Sequence, residues 1–152
     1  MENGATAAET EILDVHDCWK HLQSVSVCRI AFPHGGTVEI IPVNFAASNG
    51  TVLIRTGDGT TLDSLADGQA VSLEADGLNQ YGTIAWSVVV KGRAVAADGP
   101  GDYEDANGAG LSPWQPGSKN RLIRVTPDEV SGRRFVIAPP GRKAEQEPAG
   151  QA

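Results

Sequence analysis

Apolar and polar residues alternate with a period of two through most of residues 25–136, the pattern of strands with one buried face. Three such segments come first, at residues 25–32, 37–47 and 51–56. Pro33 and the glycines after it form a turn between the first two, and Asn49-Gly50 is a strong hairpin signal before the third. We therefore expect an antiparallel meander of three strands.

Helical spacing precedes the meander. Residues 14–22 place Val15, Cys18, Trp19 and Leu22 on one face, with Asp14 as a plausible N-cap. A second helix of about two turns is expected from residue 60 or 61 to 66, directly after a Gly-rich turn. Residues 100–117 are rich in Gly, Pro and Asp and predict at most one helical turn.

Four further strands are predicted at residues 70–75, 84–97, 121–125 and 130–136, with residues 126–129 separating the last two. The first half of 84–97 is apolar at nearly every position, which is typical of a strand buried on both faces. A helix, a ligand or a second subunit must then cover its outer face. Six or seven strands with only short helices predict a mainly β protein, a small antiparallel barrel.

The ends of the chain differ from its middle. Residues 1–12 are small, polar and acidic, and residues 138–152 combine prolines with mixed charges. Both compositions predict disorder and leave one domain at residues 13–137.

The charge of the chain restricts its partners. Twelve Lys and Arg against 19 Asp and Glu give a formal net charge of −7, which argues against nucleic acid as the main partner. No apolar run is long enough to span a membrane, and the N-terminus lacks the pattern of a secretory signal. We expect a cytoplasmic protein.

Only two cysteines are present, Cys18 and Cys28, which we interpret as free thiols packed as small apolar groups. A zinc site with His21 and His34 is the alternative. Zinc requires four convergent ligands, and nothing in these spacings guarantees that the four side chains converge, so no metal is predicted.

The turn before the second helix is the first candidate binding feature. Backbone N–H groups of a first helical turn have no intrahelical partner and carry partial positive charge, so a Gly-rich turn entering a helix can bind a phosphate. Arg55 stands just before this turn and shares a strand face with Leu53, opposite Ile54 and Thr56. The alternative is an ordinary strand-to-helix connection, in which Gly57 adopts a positive φ and a threonine caps the helix.

Two other residues, Asn44 and Trp114, have two interpretations each. Asn44, between Val43 and Phe45, is either satisfied by nearby backbone or hydrogen-bonds the edge of a heteroaromatic ring. Trp114, in a proline-stiffened loop, either plugs the edge of the core or covers a flat ligand. Trp86 fits the core best. The sequence shows no motif of catalytic side chains, so an enzymatic reaction would depend on a cofactor.

Several motifs occur in an order that resembles a known family. They are Ile41-Pro42-Val43-Asn44-Phe45, Ile54-Arg55-Thr56-Gly57, Thr60-Thr61-Leu62, Trp86 to Arg93 and Asp128 to Phe135. Over roughly residues 14–135 the chain resembles the pyridoxamine 5′-phosphate oxidase-like FMN-binding split barrels, in their short actinobacterial-type branch. The resemblance implies a six- to seven-stranded antiparallel split β-barrel with short flanking helices.

The resemblance also implies a homodimer with two FMN sites at the subunit interface. Pro42, Val43, Asn44 and Phe45 would lie along the isoalloxazine ring, and Arg55, Thr56 and Gly57 would approach the ribityl phosphate. Thr60 and Thr61 would cap that phosphate, whereas Trp86 and Ser87 would come from the facing strand. Trp114 would cover the ring from the partner subunit.

One departure from the family concerns the phosphate. Relatives often have a lysine where Thr61 stands, and such a charge-assisted contact contributes about 1.5–3 kcal/mol. The long substrate-binding segments of true pyridoxamine phosphate oxidases are also absent, which makes vitamin B6 oxidation an unsuitable assignment. We expect an FMN-dependent oxidoreductase that takes electrons from NAD(P)H or substrate and reduces a small acceptor such as a nitro compound or quinone. The alternatives are a deazaflavin-dependent reductase and a non-catalytic flavin- or haem-binding module with His34 as an axial ligand.

Overall fold

The computed structural model describes residues 10–57, 61–65, 67–111 and 120–137. Seven strands form one antiparallel sheet: β1 (Thr10–Leu13), β2 (Val27–His34), β3 (Thr37–Ser48), β4 (Thr51–Gly57), β5 (Asp67–Leu78), β6 (Ile84–Ala96) and β7 (Asn120–Val136). Two α-helices, α1 (Val15–Gln23) and α2 (Pro100–Gly108), and a 3₁₀ helix (Thr61–Leu65) flank it. The mainly β prediction is confirmed.

The strand order is β1-β7-β4-β3-β2-β5-β6, and a further pairing of β6 with β7 closes the sheet into a barrel. Strands β2, β3 and β4 are neighbours in chain order, so the predicted meander is confirmed. Asn49 and Gly50 form its second turn with φ values of 50° and 73°, the left-handed conformation that this hairpin type requires.

Inward-facing side chains of all the barrel strands pack with α1 and the 3₁₀ helix into one core. Its largest fully buried members include Phe32, Ile30, Ile54, Leu65 and Val88. A second, smaller cluster lies outside the barrel, where Leu53, Leu122 and Ala46 pack against Ala106 and Leu111 beneath α2. The side chains of β4 are therefore divided between two cores.

Helix α1 forms as predicted, with one difference. The Asp14 carboxylate accepts a 2.8 Å hydrogen bond from the Asp17 backbone N–H and caps the helix. Cys18 and Leu22 are buried, but Val15 is 55% exposed. The buried stripe therefore starts at Cys18, one turn later than expected.

Helix α2 is a correction, since nine residues are helical where the sequence suggested one turn. Pro100 occupies the first turn, and the Asp102 carboxylate accepts a 3.1 Å hydrogen bond from the Gly99 N–H. The Arg124 guanidinium on β7 contacts Asp102 at 2.8 Å and Asp105 at 3.3 Å. Ion pairs to the barrel thus support a segment of low helix propensity.

Strand β7 is a second correction, because residues 120–136 form one strand rather than two. Its pairing with β6 shifts register between Lys91 and Gly92, and Pro127 lies opposite Gly92 in this bulge. A Cβ at Gly92 would overlap the carbonyl oxygen of Thr126. A proline at a bulge removes no ladder hydrogen bond, so the strand continues through it.

Strand β1 is a third difference. Residues 10–12 belong to a strand paired with β7, although the sequence placed them in the disordered N-terminal segment. Glu11 contacts Arg134 at 2.9 Å across this pair. No helix among the described residues is long and apolar enough to cross a membrane.

Candidate functional site

Strand β3 presents the proposed ring-contacting residues on two faces. Val43 and Phe45 are buried in the barrel core, whereas Pro42 and Asn44 are exposed on the outer face. The Asn44 amide makes no hydrogen bond within the described part of the chain. The donor and the acceptor of this side-chain amide are therefore available to a ligand. This agrees with the interpretation that Asn44 binds a ring edge and not with the one in which nearby backbone satisfies it.

A groove of about 460 Å³ runs beside this part of β3. One wall is Asn44 to Ala47, a second is formed by residues 22–26 at the end of α1, and a third by Ala109, Gly110 and Leu111 after α2. The sequence did not predict the third wall, because these residues are positioned by helix α2 and the sequence did not predict that helix. We call this cavity the β3 groove.

Arg55 contacts the third wall but does not itself line the groove. Its Nη2 donates a 2.8 Å hydrogen bond to the carbonyl oxygen of Leu111, and its side chain is on the same face of β4 as buried Leu53, as the alternation predicted. Its Nε is buried and has no hydrogen-bond partner among the described residues. Leaving a buried N–H donor unpaired costs free energy. This arginine is therefore suited to donate a hydrogen bond to an anionic oxygen of a ligand.

The residues predicted to approach the phosphate do not all lie on one face in the structure. Thr56 is 7% exposed and faces the barrel core, so its side chain and that of Arg55 are on opposite faces of β4. Gly57 ends β4 and pairs with Asn120. Thr60 and Trp114 lie outside the described residues, and Thr61 is the first residue of the 3₁₀ helix.

That 3₁₀ helix corrects the expected two-turn α-helix. It has only five residues, and short 3₁₀ turns align few peptide dipoles. The helix-dipole argument for phosphate binding is weakened accordingly. Among the described residues, the positive charge nearest to this turn along the chain is Arg55.

Trp86 and Ser87 also occupy opposite faces, in this case of β6. The Trp86 indole packs against the core and stacks on the ring of His21, with centroids 4.6 Å apart and an interplanar angle of 24°. It also covers Gly77, where an added Cβ would be 2.6 Å from Trp86 Nε1. Ser87 lies on the outer face and lines a different cavity.

The outer face of the barrel separates Ser87 from Asn44. Between β3 and β6 lie β2 and β5, so the two residues are three strand spacings apart, roughly 14 Å at about 4.8 Å per spacing. Both lie on the outer face that β3, β2, β5 and β6 share, and β4 and β7 separate them by the other route round the closed barrel. One copy of the chain therefore does not bring the two predicted sets of flavin contacts together.

Charged groups occupy the middle of that surface. Arg29 on β2 contacts Glu74 and Asp76 on β5, each at 3.1 Å. Burial raises the pKa of Glu74 to about 7, and the adjacent Asp76 contributes through a hydrogen bond and its charge, while Arg29 opposes the rise. The outer surface thus has one carboxyl group, that of Glu74, with a pKa close to neutral.

The thiols and His34 lie outside this surface chemistry. Cys18 and Cys28 are buried free cysteines, as predicted, and burial raises the pKa of the Cys28 thiol to about 12. His34 is exposed at the end of β2. In the described part of the chain, no three His, Cys, Asp or Glu residues gather in a way that would hold a metal ion.

A closed antiparallel barrel with an extended seventh strand and short flanking helices defines the split-barrel class. A family model described as pyridoxamine 5′-phosphate oxidase matches residues 14–134. The chain belongs to this family.

Solved structures agree with that assignment. An FAD-binding protein from Mycobacterium smegmatis is 39% identical, with a TM-score of 0.71 over 82% of this chain and 99% of that one. A Corynebacterium glutamicum protein, described as a putative pyridoxamine 5′-phosphate oxidase, is 31% identical, with a TM-score of 0.70 over 86% of this chain and 96% of its own. An uncharacterized Mycobacterium tuberculosis protein is 31% identical over 136 residues, 86% of this chain and 89% of that protein.

Proposed function

We propose that the protein binds a flavin nucleotide in the β3 groove and acts as a flavin-dependent oxidoreductase. The observation that carries the proposal is the buried Nε of Arg55, which has no partner among the described residues while its Nη2 bonds Leu111 in the wall of a groove that exposes Asn44. Together they offer a cation for a phosphate and a donor–acceptor pair for a ring edge. The M. smegmatis relative is described as FAD-binding, which supports the same cofactor class here.

FMN and FAD share the unit that this groove would recognise. The isoalloxazine ring and the first phosphate are common to both, so Asn44 and Arg55 would contact either. FMN is the simplest ligand that contains both parts, and we take it as the first choice. When bound, the flavin would supply the electron transfer, and the chain would bind and orient it.

A second copy of the chain belongs to the proposal. On the outer face of β3, Val38 is 70% exposed and Ile40 is 65% exposed, and Val27 on β2, which is 50% exposed, pairs with Asn44. Exposed apolar side chains grouped on one face mark an interaction site. A two-fold axis parallel to the strands and over the β2–β5 pair would cover these side chains and would place strand β3 of one copy opposite strand β6 of its partner, twice.

That arrangement reunites the predicted residues. Asn44 and Arg55 of one copy would face Ser87 of the partner, which a single barrel keeps roughly 14 Å away from Asn44 by strand spacing. Trp86 is not included because it is held against His21 and Gly77 on the other face. Thr60, Thr61 and Trp114 remain predictions from the family resemblance.

The experiment is a spectral titration of the purified protein with FMN, FAD and riboflavin, followed by NADPH or NADH. Saturable binding of FMN or FAD, with bleaching of the flavin band by a reduced nicotinamide, is the expected result. Failure of both nucleotides to bind at about 100 μM, a free energy weaker than about −5.5 kcal/mol, would refute the proposal. Binding without reduction would retain the flavin site and reject the NAD(P)H-dependent activity.

A further inference from the structure

A small cavity, of about 290 Å³, lies at one end of the barrel, where the end of β5, the start of β6 and the last turn of α1 meet. We call it the barrel-end cavity. Its lining residues come from these elements, from the turn after β5 and from β7: His21, Leu78, Asn79, Ile84, Trp86 and Arg134. Trp86 and Arg134 are cross-strand neighbours on the inward face of β6 and β7. The cavity shares no lining residue with the β3 groove and lies away from the outer face that the proposed dimer would cover.

Aromatic and aliphatic side chains form the apolar part of the barrel-end cavity. The rings of His21 and Trp86 are stacked at 4.6 Å and only 24° from parallel, so they form one flat aromatic wall. Leu78 is 61% exposed and leaves an aliphatic surface open to a ligand. Walls of this composition favour a flat ring, because such a ring buries apolar surface and packs against aromatic neighbours in an offset or edge arrangement.

Hydrogen bonds hold the turn between β5 and β6 in place as a wall of the cavity. Asn79 Oδ1 accepts from the backbone N–H groups of Thr83 at 2.9 Å and Ile84 at 3.0 Å, and Asn79 Nδ2 donates to Thr83 Oγ1 at 3.1 Å. The Asn79 backbone N–H donates to the carbonyl oxygen of Ile84 at 2.9 Å. This wall is therefore formed before any ligand binds, which lowers the conformational cost of binding.

Arg134 gives the barrel-end cavity its positive charge. Its Nη1 donates a 2.9 Å hydrogen bond to Glu11 Oε1, and the two side chains are 47% and 62% exposed. An exposed ion pair with a single contact is weak, and Arg134 makes no other side-chain hydrogen bond within the described part of the chain. A guanidinium binds a carboxylate best through two parallel N–H···O bonds. A ligand carboxylate can therefore compete with Glu11 for this arginine.

We propose that the barrel-end cavity binds a small aromatic carboxylate, with its ring against Trp86 and its carboxylate on Arg134 in place of Glu11. The volume supports a ligand of this size, since about 290 Å³ lies at the lower limit of the roughly 300–1,000 Å³ of common ligand sites and favours a single ring. Glu11 is then a competitor within the chain that the ligand displaces. This inference does not depend on the proposed flavin function.

The first test compares three probes by NMR titration of the ¹⁵N-labelled protein, with the Trp86 indole resonance assigned by its loss in Trp86→Phe. Benzoate has a ring and a carboxylate, benzamide has the ring without the charge, and acetate has the charge without the ring. Benzoate should shift the Trp86 resonance saturably, and the other two probes should bind at least about tenfold more weakly. Equal affinity for benzamide, or no shift of this resonance with benzoate at about 10 mM, would overturn the inference.

The second test changes the charges. Arg134→Gln should lower the affinity for benzoate by about tenfold or more, whereas Arg133→Gln is the matched control because Arg133 is the adjacent residue and lies on the other face of β7. Glu11→Gln should raise the affinity by about threefold, since the competing carboxylate is removed, and a gain of binding cannot result from loss of folding. Unchanged affinity in Arg134→Gln, or no gain in Glu11→Gln, would show that Arg134 does not hold the carboxylate and would overturn the inference.

The third test separates this cavity from the β3 groove. The benzoate titration is repeated in the presence of saturating FMN, and the affinity for benzoate should be unchanged because the two cavities share no lining residue. Displacement of benzoate by FMN would show that benzoate occupies the flavin site and would overturn the inference. If FMN itself does not bind while benzoate does, the proposed function fails and the barrel-end site stands.

Discussion

The Nη2 atom of Arg55 donates a 2.8 Å hydrogen bond to the carbonyl oxygen of Leu111, which joins β4 to the wall of the β3 groove. This bond fixes the guanidinium while its Nε stays unpartnered among the described residues. Arg55→Gln should therefore weaken FMN binding by about ten- to a hundredfold, since it removes a charge-assisted contact of about 1.5–3 kcal/mol. Fluorescence titration of FMN measures the change.

Riboflavin provides the internal comparison for Arg55. Because this ligand has no phosphate, its affinity should change by less than about threefold if Arg55 contacts the phosphate alone. Arg93→Gln is a control for charge, since Arg93 lies on the outer face and donates to the carbonyl of Gly68. A parallel loss of riboflavin and FMN affinity would show that Arg55 acts through the shape of the groove instead.

Local patterns predicted much of the fold. The period-two alternation of β2, β3 and β4 and the Asn49-Gly50 turn depend on residues close in sequence, and the structure confirms them. Helix α2 was missed because its support comes from Arg124, about 20 residues away on β7. The continuity of β7 was missed because Pro127 is tolerated only opposite the Gly92 bulge, which belongs to another strand.

Less of the candidate site could be predicted from the sequence, because it also depends on contacts between residues far apart in the chain. Alternation did place Arg55 with Leu53 and away from Thr56, but nothing in the sequence pairs Arg55 with Leu111. Trp86 and Ser87 are adjacent in one strand, so the period of two by itself places them on opposite faces of β6.

The two faces of β6 should respond differently to substitution. Trp86→Phe should lower the free energy of unfolding by about 1–2 kcal/mol, because it removes part of a ring that stacks on His21 and covers Gly77. It should leave FMN affinity within about twofold, since the ring faces the core. Chemical denaturation and FMN titration of the same sample measure both effects.

Ser87→Ala is the counterpart on the outer face. It removes one hydroxyl that has no described partner, so stability should change by less than about 0.5 kcal/mol. FMN affinity should fall by about three- to tenfold, the value of a neutral hydrogen bond. If Trp86→Phe abolished flavin binding and Ser87→Ala had no effect, the assignment of the two faces would be reversed.

Gly132 holds the contact between β7 and α1. A Cβ at this position would be 2.7 Å from Cys18 Sγ and 3.1 Å from the carbonyl oxygen of Ser87. Gly132→Ala should therefore destabilise the protein by about 1–3 kcal/mol, as overpacking of a core does. Gly101→Ala in α2, where an added Cβ has nothing within 4 Å, should be neutral or slightly stabilising in the same denaturation assay.

A second substitution tests the cause of that loss. Replacing Cys18 by Ala removes the sulfur, so the double variant Cys18→Ala, Gly132→Ala should be more stable than the sum of the two single changes predicts. Additive losses would show that the clash with the Ser87 carbonyl, rather than with the sulfur, dominates at this position.

Glu74 should make stability depend on pH. Its pKa is raised from 4.5 to about 7 in the folded protein, first by burial and then by Asp76. The folded protein thus holds a proton that the unfolded chain releases, so the stabilisation is complete below about pH 4.5 and is lost as pH rises through about 7. Since the Glu74 side chain is 36% exposed, we discount the effect for solvent screening to about 1 kcal/mol.

Glu74→Gln removes this proton linkage and keeps the hydrogen-bonding shape of the protonated carboxyl group. The variant should match the unmodified protein near pH 5 and melt at a higher temperature near pH 8, where the unmodified protein must charge Glu74 beside Asp76. Glu104→Gln on α2 serves as the control, because Glu104 is exposed and its loss should not alter the pH profile. A lower melting temperature for Glu74→Gln at pH 8 would mean that the ion pair with Arg29 outweighs the repulsion between the two carboxylates.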